Sequence, residues 1–292
     1  MKRTVVLSII TGIGSLLLSS CAQNTNQENK TDASLFMRSD SAVYLEEISS
    51  ETGDLYTKVG HHGPAVENEW LGLRIYFDHK CAIDVYSKAK PGLELKEARW
   101  YPTPEQQLNG WGADYYKVGS TVGLGGVRLW DGEKVLELDP VTMRTAKVLK
   151  KDNMSRMEMI SEGVPYMGRE VDILTRVTVY SGERNAKVEA VALRGGPVQF
   201  ATGINYHEGQ EIEKEDGLIV TWGKHPEDVA AEIVDIGAAI IYDPGDFEQV
   251  IDDGKEFLLI SKSTEALGTT ISAASSREPE INTMQAFLEF LK

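Results

Sequence analysis

The sequence predicts an all-β protein built from many short antiparallel strands, with one helix at its C-terminal end. Three observations indicate this: short segments in which apolar and polar residues alternate, turn signals between them, and a scarcity of helical spacing. Residues 172–180 and 186–193 alternate on either side of the turn at residues 181–185, which predicts a β-hairpin. Many strands of this length are typical of a sandwich or a barrel.

The remaining elements follow along the chain. Ile281, Met284, Leu288 and Leu291 recur at helical spacing after Pro279, which predicts a helix that packs on the outside of the sheets. The other predicted strands span residues 43–48, 55–59, 70–77, 93–101, 126–130, 134–138, 142–149, 155–160, 198–204, 218–222, 232–242, 256–261 and 270–275.

The first 20 residues have the features of an export signal. Lys2 and Arg3 precede an apolar segment that is too short to span a bilayer, which takes about 20 apolar residues. Leu18-Ser19-Ser20-Cys21 resembles the lipobox of bacterial lipoproteins, which implies cleavage before Cys21 and lipid on its thiol. We therefore expect an exported lipoprotein, in the outer membrane or periplasm, that is attached to the membrane through Cys21.

Composition divides the mature chain into a tether and a domain. Residues 21–34 are polar and rich in Asn and Gln, which is typical of a flexible tether. No linker or repeat interrupts residues 35–292, so we expect a single β-domain there. The formal net charge of the full sequence is −15, and no Lys/Arg run is longer than two. This excludes nucleic acid as a partner, because phosphate contacts need clustered basic residues.

The sequence requires no cofactor, although two histidines and a glutamate could together hold a divalent metal. The glycine-rich segment at residues 118–132 lacks the Gly-Lys-Ser/Thr ending of a phosphate loop. The aspartates of residues 243–254 lack calcium-loop spacing, so we interpret them as solvated surface. Once Cys21 is lipidated, Cys81 is the only thiol, and we interpret it as a small buried hydrophobic residue.

Residues 59–80 form the central candidate site, since they hold three of the five histidines, including the adjacent pair His61 and His62. They also hold Arg74, on a predicted strand whose alternate residues face a core. Loops that lead into rigid strands often carry functional residues. The alternative is a surface loop in which Glu69 and Arg74 form a structural ion pair.

Three further stretches could contribute to the same site. Residues 111–117 combine aromatic rings that suit the apolar face of a sugar with Asp114, which can accept from hydroxyls, although a core strand is the alternative. His207 follows an apolar strand, where it could serve as an acid or base. His225 stands near Trp222 at another strand end, with a solvent-facing turn as the alternative.

Three motifs carry a family resemblance: His61-His62-Gly63-Pro64-Ala65-Val66-Glu67-Asn68-Glu69-Trp70, Gly110-Trp111-Gly112-Ala113-Asp114-Tyr115-Tyr116-Lys117-Val118-Gly119 and Gly125-Gly126-Val127-Arg128-Leu129-Trp130. With Arg74, they resemble domain-of-unknown-function family 4861 from about residue 43 to the C-terminal helix. The resemblance implies a large antiparallel β-sandwich of the supersandwich type. It also implies a secreted or lipid-anchored carbohydrate-active protein of polysaccharide-degrading bacteria, including dehydratase activity on uronate-terminated oligosaccharides.

Elimination across C4–C5 of a uronate needs a base for the C5 proton, a cation or donor at the carboxylate and an acid for the leaving oxygen. The planar fork of Arg74 matches a carboxylate, and a histidine suits the base. Glu67 or Glu69 could fix a histidine tautomer. The candidate catalytic residues are His61, His62, Arg74, Tyr115 and His207, and the candidate substrate-binding residues are Glu67, Glu69, Trp111, Asp114, Tyr116, Lys117 and His225.

Three functions remain open at this point. The leading hypothesis is a carbohydrate lyase, a dehydratase or β-eliminating enzyme for uronate-containing oligosaccharides. The second is a mutarotase- or epimerase-like isomerase, which needs an acid–base pair and no carboxylate partner. The third is a surface glycan-binding lipoprotein, which needs no tuned base. Arg74 favours the first over the second, and the histidines favour an enzyme over a binder.

Overall fold

The computed structural model describes residues 30–99, 101–227 and 229–292, so the predicted signal peptide and Cys21 lie outside the described residues. Within these ranges the chain is mostly antiparallel β-structure, as predicted. The strands are β1 (Thr31–Ser34), β2 (Glu47–Ser50), β3 (Ala65–Asn68), β4 (Leu71–Ile75), β5 (Ile83–Ser87), β6 (Arg128–Trp130), β7 (Val135–Leu136), β8 (Met143–Lys151), β9 (Met154–Tyr166), β10 (Arg169–Tyr180), β11 (Asn185–Arg194), β12 (Gln199–Asn205), β13 (Glu211–Glu215), β14 (Leu218–Lys224), β15 (Asp235–Ile241), β16 (Phe247–Asp252), β17 (Glu256–Ser261) and β18 (Ala266–Ser275).

The strands form three sheets. The largest has the order β13-β14-β15-β18-β11-β10-β9-β8-β2, and its centre contains the predicted hairpin, β10 paired with β11. The second has the order β16-β17-β12-β6-β7, and the third has the order β1-β3-β4-β5. The two smaller sheets lie against the largest one, since β3 contacts β10, β4 contacts β9 and β12 contacts β15.

One continuous apolar core draws residues from all three sheets. Leu73 of the four-stranded sheet, Phe200 of the five-stranded sheet and Val177 of the nine-stranded sheet are all fully buried in it. Facing apolar sides that exclude water stabilise such a two-layer arrangement. The predicted β-sandwich is therefore confirmed.

The C-terminal helix packs on the outer face of the largest sheet, as predicted. Its buried residue Phe287 contacts Trp222 of β14, with ring centroids 6.0 Å apart. The helix begins after Thr283, whose hydroxyl accepts from the Ala286 N–H at 3.2 Å, so Ile281 precedes it. No helix of the described ranges is long and apolar enough to cross a membrane. The helices are α1 (Leu95–Ala98), α2 (Pro104–Leu108) and α3 (Met284–Leu291).

The tether prediction was wrong for its last four residues. Thr31–Ser34 form β1, which pairs with β3. Their polar side chains find partners in other elements: the Ser155 hydroxyl donates to Thr31 at 3.0 Å, and the Lys96 ammonium donates to Asp32 at 2.9 Å. Because these partners are distant in sequence, the composition of residues 31–34 gives no sign of them and indicates a tether.

Local spacing also misassigned several elements. Residues 55–59 form turns, and residues 93–99 contain α1, because Leu95 and Ala98 bury one helical face. The interpretation of residues 243–254 as surface omitted β16, which pairs with β17. β13 was missed because all of its residues are exposed, which leaves no apolar alternation.

Candidate active site

His61 and His62 lie in a strained turn before β3. Both have positive φ angles, 54° and 59°, which residues other than glycine seldom adopt. The Phe77 N–H donates to the His62 carbonyl at 2.8 Å and ties the turn to the end of β4. A Cβ atom on Gly63 would lie 1.9 Å from the Ile75 carbonyl oxygen, so only glycine fits there. Strain of this kind is concentrated at functional sites.

The imidazole of His62 is held in one tautomer. Its Nδ1 lies 3.0 Å from the Tyr56 carbonyl, which can only accept, so Nδ1 carries the proton. Its Nε2 lies 2.8 Å from the Tyr101 hydroxyl and is left as an acceptor. Burial lowers the pKa of His62 to about 4, aided by the cations Arg74, Arg38 and Lys80, so the ring is neutral at pH 7.

His61 is a core residue and does not form an acid–base pair with His62. Its side chain is fully buried against Phe36, with ring centroids 5.3 Å apart in an edge-on contact. Burial lowers the pKa of His61 to about 3, and its Nε2 has no hydrogen-bond partner among the described residues. The adjacent pair therefore contributes one imidazole with hydrogen-bond partners at both ring nitrogens, that of His62.

Arg74 is enclosed by carboxylates of the protein itself. It lies directly opposite Asp84 in the β4–β5 pair, forms an ion pair with it and donates to Asp114 at 2.6 Å. The Tyr76 hydroxyl donates to the same Asp84 at 2.7 Å. Burial alone would lower the pKa of Arg74, but Asp114 and Asp84 outweigh it and raise the pKa well above its ordinary value. The guanidinium charge is thus fully compensated inside the protein.

Lys80 supplies a less compensated cation beside His62. Its ammonium lies 5.5 Å from the centroid of the Tyr56 ring and 5.0 Å from that of Tyr76. The Tyr56 ring in turn stacks on His62, with centroids 3.9 Å apart. The ammonium forms an ion pair with Asp78 at 3.8 Å, which is longer than a hydrogen bond, and donates to the Gly119 carbonyl at 3.3 Å. Lys80 is half-buried and can meet an anion at this position.

His207 and His225 form a second histidine pair around Lys117. The Lys117 N–H donates to His225 Nδ1 at 3.0 Å, and His207 Nε2 donates to the Lys117 carbonyl at 3.1 Å. Both rings are thereby fixed as Nε2–H tautomers, and they pack edge-on at 4.5 Å. Burial lowers the pKa of His225 to about 3 and also lowers the pKa of His207.

Asp114 connects the two histidine regions. It binds Arg74, and it lines with Tyr115 and His225 a recess of about 10 Å³, enough for roughly one water molecule. The Tyr116 ring lies 4.5 Å from His225, and its buried hydroxyl has no partner among the described residues. Asp114, Tyr116, Lys117, His207 and His225 are therefore brought together as the sequence predicted.

Tyr115 borders an open groove of about 460 Å³ that is lined by Pro104, Gln107, Leu108, Ala231, Glu232 and Arg277. The Arg277 guanidinium donates to the Tyr115 hydroxyl at 2.7 Å and to the Trp111 carbonyl at 2.8 Å. Burial raises the pKa of Tyr115 despite Arg277, so the phenol is neutral at pH 7.

Glu67 and Glu69 bind main-chain and side-chain groups of the fold instead of a histidine. Glu67 is buried, pairs with Lys88 at 2.6 Å and accepts the Leu95 N–H at 2.9 Å. Glu69 accepts from the Ser181 hydroxyl at 2.9 Å. The prediction that one of them fixes a histidine tautomer was wrong, because backbone groups of Tyr56 and Lys117 do this.

The comparison with protein families identifies the chain. The model of the family described as domain of unknown function (DUF4861) matches residues 19–292. The chain belongs to the DUF4861 family. The resemblance inferred from the three motifs is thereby confirmed. A comparison with proteins of curated function gave no match to this chain.

Several solved structures resemble the DUF4861 chain weakly. A 4-alpha-glucanotransferase from Thermococcus litoralis shares 12% identity at a TM-score of 0.36, over 80% of this chain and 40% of its own. A putative aldose 1-epimerase from Klebsiella pneumoniae subsp. pneumoniae MGH 78578 shares 8% identity at a TM-score of 0.38, over 84% of this chain and 91% of its own. The heparan sulfate lyase HepC from Pedobacter heparinus shares 8% identity at a TM-score of 0.34, over 73% of this chain and 33% of its own. The chain thus spans less than half of the first and third proteins, and likeness at this level does not bear on activity.

Four residues of the site were not singled out from the sequence as site residues: Tyr56, Lys80, Asp84 and Tyr101. Asp84 could have been found, since it alternates with apolar residues in β5, whereas the loop position of Tyr101 carries no such signal. Trp100, within the predicted strand of residues 93–101, and Asp228, which follows His225, lie outside the described residues. Across the described ranges, no group of three or more His, Cys, Asp and Glu side chains is placed to hold a metal ion.

Proposed function

We propose that this DUF4861 protein is a carbohydrate-active lyase that eliminates water or a glycosyl group from uronate-containing oligosaccharides. The observation that carries the proposal is the fixed tautomer of His62, whose Nδ1–H binds the Tyr56 carbonyl and whose Nε2 accepts from Tyr101. A neutral imidazole with an acceptor nitrogen is a general base at neutral pH. The strained backbone of His62 supports the same conclusion.

In this proposal, Lys80 binds the carboxylate of the substrate. Arg74 already binds Asp84 and Asp114, so its positive charge is balanced before a substrate carboxylate could bind. Lys80 has no carboxylate within hydrogen-bonding distance among the described residues and stands beside the Tyr56 ring that covers His62. An ammonium at this point stabilises the negative charge that develops on the carboxylate when the C5 proton leaves.

A sugar isomerase of the mutarotase or epimerase type is the second candidate, and the compensated charge of Arg74 favours it. Since Arg74 needs no substrate carboxylate, its presence no longer selects a uronate over a neutral sugar. His207, His225 and Asp114 supply the donors and acceptors that ring opening needs. The groove beside Tyr115, which is lined in part by the charged residues Glu232 and Arg277, supports a third role, glycan binding without turnover.

We also propose that the protein is exported and held in the outer membrane or the periplasm by lipid on Cys21. The basic residues, the short apolar segment and the lipobox-like ending support this. Cys21→Ser should move the protein from the membrane fraction to the soluble fraction, and mass spectrometry of the mature N-terminus should show acyl chains in the unaltered protein only. An unchanged distribution would exclude lipid anchoring.

The test of the lyase is the ultraviolet absorbance of a conjugated enol ether during incubation of the full-length chain, in detergent, with a panel of saturated uronate-ended oligosaccharides. Absorbance should rise, and His62→Ala should abolish the rise, whereas the exposed His79→Ala should not. EDTA treatment tests the divalent metal that the sequence allows. A flat trace across the panel, with polarimetric equilibration of a neutral sugar, would instead establish the isomerase. Calorimetric binding without either reaction would establish the binder.

A further inference from the structure

Tyr101 covers the imidazole of His62 and is the more exposed of the two side chains. Its hydroxyl lies 2.8 Å from His62 Nε2, with the two rings tilted by 55°. His62 is only 8% exposed, whereas Tyr101 is half-buried. A substrate that reaches this site therefore meets the phenol before it meets the imidazole.

The direction of this hydrogen bond follows from the contact that the other ring nitrogen of His62, Nδ1, makes with Tyr56. Because the Tyr56 carbonyl can only accept, the proton of neutral His62 is on Nδ1 and Nε2 must accept. Tyr101 is consequently the donor to His62. A phenol oxygen can take up a new proton in the same step in which its own proton passes to an acceptor such as Nε2.

The charges around the two rings allow such a transfer. The Arg74 guanidinium lies 5.9 Å from the centroid of the Tyr101 ring and favours its phenolate, while Asp114 and Asp84 oppose it. Burial raises the pKa of Tyr101, so the resting group is a phenol. Burial, together with the charges of Arg74, Arg38 and Lys80, lowers the pKa of His62 and keeps the ring neutral and ready to accept.

We propose that Tyr101 is the catalytic residue that exchanges protons with the substrate, and that His62 is the positioning residue and proton acceptor behind it. The proposal rests on the proposed elimination. The Tyr101 oxygen takes the C5 proton as its own proton passes to His62 Nε2. The electrons of the C5–H bond form the C4–C5 double bond, and the C4–O bond breaks. His62 then returns its proton to Tyr101, which protonates the leaving oxygen, so both side chains end in their starting states.

The first measurement is the kinetics of three variants of the full-length chain in the enol-ether assay. Tyr101→Phe should lower kcat roughly 10²–10⁴-fold with little change in KM, the range expected for loss of a general acid–base group. His62→Gln should lower kcat similarly, and the acid limb of the unaltered protein, near pH 4, should disappear. Tyr44→Phe is the matched control, since the Tyr44 hydroxyl donates to the Lys96 carbonyl at 3.4 Å and has no hydrogen bond to a histidine in the described ranges. Full kcat in Tyr101→Phe would overturn the relay and leave the lyase standing.

The second measurement does not depend on turnover. Nitrogen-15 NMR of the histidine rings at pH 7 should show His62 protonated at Nδ1, with an Nε2 shift that moves toward the unbonded pyridine-type value in Tyr101→Phe. Tyr44→Phe should leave that shift unchanged. A proton on Nε2, or no response to Tyr101→Phe, would overturn the relay whatever the substrate. An unaltered protein that is inactive on the whole uronate panel would contradict the proposed elimination and the relay together.

Discussion

Arg74 and Asp84 face each other across the β4–β5 pair and form an ion pair that is inaccessible to solvent. Asp114 reaches the same guanidinium from a loop, so one cation serves two carboxylates. Since a buried charge without a partner is costly, this cluster fixes the loop of residue 114 to the sheet. That loop carries Tyr115, Tyr116 and Lys117, so the cluster positions the second histidine region as well.

Arg74→Met should destabilise the fold by about 3–5 kcal/mol, because it leaves two buried carboxylates unpaired. Urea unfolding followed by circular dichroism measures the change. The control is Arg194→Met, whose partner Asp172 lies at 2.6 Å at a site where the arginine is 56% exposed. Loss of that exposed pair should cost about 1 kcal/mol or less. Equal losses in the two variants would show that the Arg74 cluster is not essential to the fold.

Stability should fall as the pH falls from about 6.5 toward 4.5, because burial lowers the pKa values of both His61 and His225 to about 3. Within this window the unfolded state binds more protons than the folded state, so each histidine removes about 1.4 kcal/mol of unfolding free energy per pH unit. His225→Gln should reduce that slope by one such increment. Parallel curves for His225→Gln and the unaltered protein would mean that His225 is charged in the folded state.

Lys80→Met should raise KM for uronate-ended substrates at least tenfold, because the substrate carboxylate loses its ammonium partner. Steady-state kinetics at low salt measures this, and added salt should weaken the difference. Lys147→Met is the control, since Lys147 pairs with Glu47 at 2.9 Å on the nine-stranded sheet. An unchanged KM would assign the carboxylate to another cation.

Gly63→Ala should cost about 2 kcal/mol or more, because the added methyl group would lie 1.9 Å from the Ile75 carbonyl oxygen. The same substitution at Gly92, where no atom lies within 4 Å of the added carbon, should be nearly neutral. Thermal unfolding of the two variants gives the comparison. A stable Gly63→Ala protein would indicate that the histidine turn can shift without loss of the fold.

The elements with strong periodicity were predictable, and the site was predictable only in part. The β10–β11 hairpin and α3 follow spacing that any fold must satisfy, since apolar faces must be buried. β13 and β1 have no such spacing, because the residues of β13 are all exposed and the polar side chains of β1 are bound by other elements. The ion pairs of Glu67 with Lys88 and of Arg74 with Asp84 could not be predicted from spacing, because each partner comes from another part of the folded sheet.

The sequence by itself determined the class of the fold, the family and the stretches that hold the candidate site, because alternation, turn residues and motifs are local properties of the chain. Only the tertiary structure decided that both ring nitrogens of His62 have hydrogen-bond partners, that Arg74 is paired with carboxylates of the protein itself, and that the Tyr101 hydroxyl lies against His62 Nε2. The physical reason is that protonation, tautomer and exposure depend on neighbours brought together by folding. The role of a histidine can be assigned only once its hydrogen-bond partners are known.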